Sequence, residues 1–129
     1  MLNGRTVLIV EAEFLIALDI QRMLETLAAG EMLFARSLNE AHNHQQRWHT
    51  VDVAIVDMGD NGADTAGLLR DLTRAGITVI LSTTDGAMNK GHPEFPGTPV
   101  IVKPMIEEDV LRAVVAAVAS SARTSDCGS

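Results

Sequence analysis

A chain of 129 residues, 47% of them hydrophobic and 21% charged, has the makeup of one compact domain and is long enough to bury about two thirds of its unfolded surface without disulfides or structural metal. Its single cysteine, Cys127, excludes an intramolecular disulfide and a cysteine-rich zinc site, so a reducing, cytoplasmic setting is expected. Seventeen acidic residues against ten Lys and Arg give a net charge of -7 with no basic cluster, no apolar run is long enough to span a membrane, and aromatic residues are scarce, which together exclude nucleic acid, membrane and stacked-base or sugar partners.

In chain order, Thr6–Val10 is a short continuous apolar run rich in β-branched residues, as expected of a strand covered on both faces. Over residues 13–28 the apolar Phe14, Leu15, Leu18, Met23, Leu24 and Leu27 recur at helical spacing, and Gly30 is the expected stop. Residues 31–34 read as an edge strand, and Ser37 as the cap of a polar helix running to about Arg47. A second buried strand over residues 51–56 ends abruptly at Asp57 and a polar turn containing Gly59, Asp60, Asn61 and Gly62. Leu68, Leu69 and Leu72 mark a helix closing near Gly76; residues 77–81 form the next strand, followed by Ser82, Thr83 and Thr84. The Gly- and Pro-rich residues 85–98 are read as mostly loop, Val100–Val102 as the last strand, residues 106–119 as the closing helix and residues 122–129 as a flexible tail after a single domain over residues 1–121.

Five strands alternating with helices imply an α/β, doubly wound, five-stranded parallel sheet, in which ligands bind beyond the carboxyl ends of the strands. The residues at those ends are Glu11 and Glu13, Asp57, Thr83 and Thr84, and Lys103-Pro104. This ordered set suits an aspartyl-phosphate site: a carboxylate nucleophile, a divalent cation on neighbouring acids, and a hydroxyl and an ammonium on the phosphate oxygens. Taken singly the residues are less telling. Asp57 alone reads as a loop or capping carboxylate, Glu13 as a first-turn acid favouring the helix dipole, and Thr83 as a cap.

From about residue 5 to residue 119 the chain resembles the receiver domains of bacterial two-component response regulators. The resemblance rests on Val7-Leu8-Ile9-Val10-Glu11, Asp52-Val53-Ala54-Ile55-Val56-Asp57, Val79-Ile80-Leu81-Ser82-Thr83-Thr84 and Val102-Lys103-Pro104. It implies a flavodoxin-like fold in which Asp57 accepts a phosphoryl group from a histidine kinase, Thr83 and Lys103 contact the phosphate, Glu11 and Asp57 help to hold Mg²⁺, and Lys103-Pro104 is a cis peptide. Three departures stand out. Ala12 replaces the second acid, the direct metal ligand, and so weakens the metal site; the proline usual after the phosphoacceptor is absent; and Val100 replaces the switch aromatic.

The function implied is a stand-alone receiver in a phosphorelay, with no output domain attached. It would be a signalling protein rather than an enzyme, taking its phosphoryl group from a histidine kinase or phosphotransferase and acting on an output protein, with homodimerisation left open. Ala12 supports the alternative of a degenerate pseudo-receiver, a phosphorylation-independent interaction module. A phosphatase-like hydrolase is disfavoured, because Met58-Gly59 supplies no acid two residues after Asp57. His42 and His44 lie two apart on a helix and do not share a face as metal ligands would; Trp48 is expected to pack; and Glu107, Glu108 and Asp109 favour the start of the last helix.

Overall fold

A computed structural model describes residues 4–58, 62–84, 97–103 and 106–128, with side chains in the third helix from residue 65 and in the last up to residue 119. Five parallel strands, β1 (Thr6–Val10), β2 (Met32–Ala35), β3 (Val51–Asp57), β4 (Thr78–Thr83) and β5 (Val100–Val102), lie in the order β2-β1-β3-β4-β5. Among the described residues four α-helices accompany them: α1 (Phe14–Thr26), α2 (Leu38–Asn43), α3 (Gly62–Arg74) and α4 (Glu107–Gly128). The strands are apolar on both faces because both faces are covered. Val7, Ile9, Val53, Ile55, Ile80 and Ile101 pack with Ile20 and Leu24 of α1 and Val110, Val114 and Ala117 of α4. Residues of opposite parity, among them Leu8, Val10, Ala54, Val56 and Leu81, pack with Ala41 of α2 and Leu68, Leu69 and Leu72 of α3. The sheet order reverses between β1 and β3, the place at the carboxyl edge where sheets of this kind bind ligands.

The structure moves several predicted boundaries. Strand β2 begins and ends one residue later than expected. Ser37 caps α2 as predicted, its Oγ accepting from the Glu40 amide at 3.2 Å, but α2 stops at Asn43 and a 3₁₀ segment, Gln45–Thr50, follows. The tighter winding brings Trp48 into the core, where its indole N–H donates to the Ala41 carbonyl at 3.1 Å. Helix α4 starts at the predicted acidic trio but continues to Gly128, well past residue 119, because no Gly or Pro interrupts residues 106–127. Residues 59–61 of the predicted turn, residues 85–96 of the predicted loop and Pro104 lie outside the described residues.

Two helices end in the same way with different residues. At the end of α3, Gly76 is left-handed at φ 85°, its amide bonds the Thr73 carbonyl at 3.0 Å, and the Ile77 amide bonds the Leu72 carbonyl at 3.0 Å. At the end of α1 the equivalent bonds run from Ala28 to Glu25 and from Ala29 to Leu24, both at 3.0 Å, and the left-handed residue is Ala28 at φ 66°. The predicted stop at Gly30 is therefore corrected to Ala28. Gly30 serves a close approach instead: a β-carbon there would meet the Gly4 carbonyl oxygen at 2.2 Å. Because a left-handed alanine carries a steric penalty of about 1–2 kcal/mol, only partly offset by the greater unfolded-state freedom of glycine, Ala28→Gly should stabilise the fold by about 0.5–1 kcal/mol in urea denaturation.

Candidate functional site

Strands β1 and β3 place Glu11 and Asp57 side by side at the carboxyl edge, since Val10 pairs with Val56 one residue earlier. Lys103 follows β5, anchored by its own amide, which donates to the Thr83 carbonyl at 2.7 Å. From there its side chain crosses the end of β4 and reaches both acids. The ammonium Nζ lies 2.8 Å from Glu11 Oε1 and 3.0 Å from Asp57 Oδ1. The second oxygen of Glu11, Oε2, accepts the Glu13 amide at 3.1 Å, so the carboxylate is held from both sides. Glu11 is the most deeply buried of the three, its side chain 2% exposed, whereas Asp57 keeps 21% of its side chain open at the rim.

Burial alone would lower the Lys103 ammonium. Hydrogen bonds to Glu11 and Asp57, together with their negative charge, outweigh that and leave its pKa above the ordinary 10.5. The lysine is therefore cationic at neutral pH, and the cluster of two carboxylates and one ammonium carries a formal charge of -1. Thr83, the last residue of β4, stands at the same rim, one position after the Ser82 that pairs with Asp57. The Met58 amide donates to the Ser82 carbonyl at 2.9 Å, and the Met58 carbonyl accepts Thr65 Oγ1 at 3.0 Å, which ties the end of β3 to both β4 and α3.

No protein-family model and no curated protein matches the chain. Solved structures do. The solution structure of SdrG from Sphingomonas melonis Fr1 is 25% identical, with 92% of this chain and 99% of that one covered at a TM-score of 0.74. The BeF3-activated conformation of SdrG, from Pseudomonas melonis Fr1, is 26% identical, with 90% and 98% covered at 0.73. The receiver domain of the Erythrobacter litoralis PhyR response regulator, at 18% identity, matches in fold with 91% and 92% covered and a TM-score of 0.75.

The chain has the response regulator receiver fold. The sheet order is the flavodoxin-like one expected from the sequence, and the receiver edge brings three predicted site residues, Glu11, Asp57 and Lys103, into direct contact. Glu13 enters through its backbone amide rather than its carboxylate, as the residue that caps α1 without a side-chain bond. Ser82 is a site-edge residue that the strand pattern overlooked. A lone serine in a buried apolar run, in register with Asp57, is the signal that marks it. Val100 packs half-buried against the core at the start of β5. His42 and His44 do not converge: His42 bonds the Leu38 carbonyl and Asp71, and His44 bonds the Phe34 carbonyl.

The receiver's donor set does not fit a tightly held divalent cation. Ala12 offers no oxygen from its side chain, both oxygens of Glu11 are engaged, and Asp57 shares one of its oxygens with Lys103. Among the described residues no group of three metal-ligating side chains forms. Beside Glu11 and Ala12 the surface instead opens an apolar cavity of about 290 Å³ between Phe14, Ala17, Leu18 and Phe34.

Proposed function

We propose that this receiver accepts a phosphoryl group on Asp57 and signals through protein contacts, without turning over a substrate of its own. The observation that supports it is the convergence of Lys103 on the rim-exposed Asp57 carboxylate at the sheet's switch point. In the step, one Asp57 oxygen attacks the phosphorus of a phosphohistidine on a kinase or phosphotransferase. An O–P bond forms, the P–N bond breaks with its electron pair passing to the imidazole nitrogen, and the Lys103 ammonium offsets the charge on the phosphoryl oxygens. Thr83, the last residue of β4, is the hydroxyl this reading assigns to those oxygens. Phe14, 68% exposed, and Phe34 line the apolar cavity beside Glu11 and Ala12, surface suited to an incoming partner helix.

Intact mass after incubation with acetyl phosphate and Mg²⁺ tests this. One phosphoryl adduct is expected on the wild type and none on Asp57→Asn; an adduct that persists in Asp57→Asn would overturn the assignment. Mg²⁺ is held weakly in this account. Ala12→Asp, by adding a direct charged ligand, should tighten Mg²⁺ binding on the order of tenfold, about 1.4 kcal/mol, read from amide shifts in an NMR titration. A phosphorylation-independent interaction module is the second possibility, favoured by Ala12 and by the full engagement of Glu11. A folded protein that takes no adduct beside a labelled control would favour it and direct the search to binding partners.

A further inference from the structure

Ser82 is 1% exposed, and its hydroxyl has no hydrogen-bond partner among the described residues. Its neighbours define what that hydroxyl can reach. Ser82 pairs with Asp57 on β3 and with Ile101 on β5, and paired residues of parallel strands project to the same face with their strands about 4.8 Å apart. Glu11, Asp57, Ser82 and Lys103 share the parity of Ile9, Ile55, Ile80 and Ile101, the face covered by α1 and α4. The Lys103 side chain, running from β5 to Asp57 on β3, therefore passes over the end of β4 where Ser82 lies. Of the two paired neighbours only Asp57 carries a side-chain oxygen, which makes it the side-chain acceptor in register with the Ser82 hydroxyl.

In the resting state Lys103 holds one of the two Asp57 oxygens, Oδ1, at 3.0 Å. Phosphorylation redistributes the charge. The doubly charged phosphoryl oxygens attract the ammonium more strongly than the neutral acyl carbonyl does, and the carbonyl oxygen loses its partner. We propose that the Ser82 hydroxyl then donates to the Asp57 acyl oxygen; as water attacks phosphorus and the P–O electron pair returns to the carboxylate, that bond strengthens and hastens loss of the adduct as inorganic phosphate. The proposal rests on Asp57 as the phosphoacceptor.

The test follows the decay of the adduct by intact mass in wild type, Ser82→Ala and Ser82→Thr after labelling with acetyl phosphate and Mg²⁺, with thermal unfolding of the unlabelled proteins alongside. Ser82→Ala should lengthen the adduct lifetime about fivefold, the equivalent of one neutral hydrogen bond, while its unfolding midpoint stays the same or rises because a buried unpaired hydroxyl has been removed. Ser82→Thr, which keeps the hydroxyl, should retain the wild-type lifetime. A wild-type or shorter lifetime in Ser82→Ala, or an equal change in both variants, would overturn the role of Ser82 and leave Asp57 as phosphoacceptor intact. A wild type that takes no adduct would instead remove the phosphoacceptor itself.

Discussion

Lys103→Met should lower the unfolding free energy by about 3–5 kcal/mol, the cost of leaving buried carboxylates without their cation. Glu11 is the source of most of it. Its side chain is almost wholly enclosed, and with the ammonium gone only the Glu13 amide remains to compensate its charge. Adding Glu11→Gln to Lys103→Met should recover part of the loss, so a double-mutant cycle in urea would show the two effects to be strongly non-additive. The alkaline behaviour follows from the same contacts. The folded-state pKa of Lys103 lies above 10.5, so its contribution is fully present at neutral pH and disappears only as the pH rises past 10.5 and through the folded value. Wild-type stability should therefore fall in that alkaline range by more than that of Lys103→Met, measured as denaturation midpoint against pH.

Trp48→Ala is expected to cost about 3–5 kcal/mol, since it removes the bulkiest side chain in the cluster between the sheet and helices α2 and α3. Two effects add. The indole leaves a cavity against Leu38, Ala41 and the β3 residues of that face, and the Ala41 carbonyl loses the N–H that satisfies it. Trp48→Phe, which keeps much of the ring volume but not the donor, should lose considerably less. Equal losses in the two variants would place the whole effect in the hydrogen bond and contradict the packing account.

The sheet was legible because parallel strands buried on both faces leave uninterrupted apolar runs rich in β-branched residues, as in Val7 to Val10 and Val53 to Val56. Asp57 and Lys103 were legible for the complementary reason: each is a charged residue placed where such a run stops. What escaped was carried by backbone geometry. Nothing in the residue types distinguishes Ala28 from its neighbours, yet it takes the left-handed turn that a glycine fills at the end of α3. The 3₁₀ winding after Asn43 is set by where Trp48 must reach, a tertiary demand that overrides helical periodicity. Glu13 looked like a possible metal ligand, but its amide is what holds Glu11. Ser82 escaped because its significance depends on register across two strands 25 residues apart, which appears only once Asp57 and Ser82 are paired.

The chemistry at Asp57 is open to direct capture. Borohydride reduces an aspartyl phosphate to homoserine, so treating the acetyl phosphate-labelled protein with borohydride and mapping its peptides by mass spectrometry reads out the acceptor residue by residue. The account predicts homoserine at position 57 alone, dependent on the phosphodonor. Homoserine at any other acidic residue, with Asp57 recovered unchanged, would contradict it.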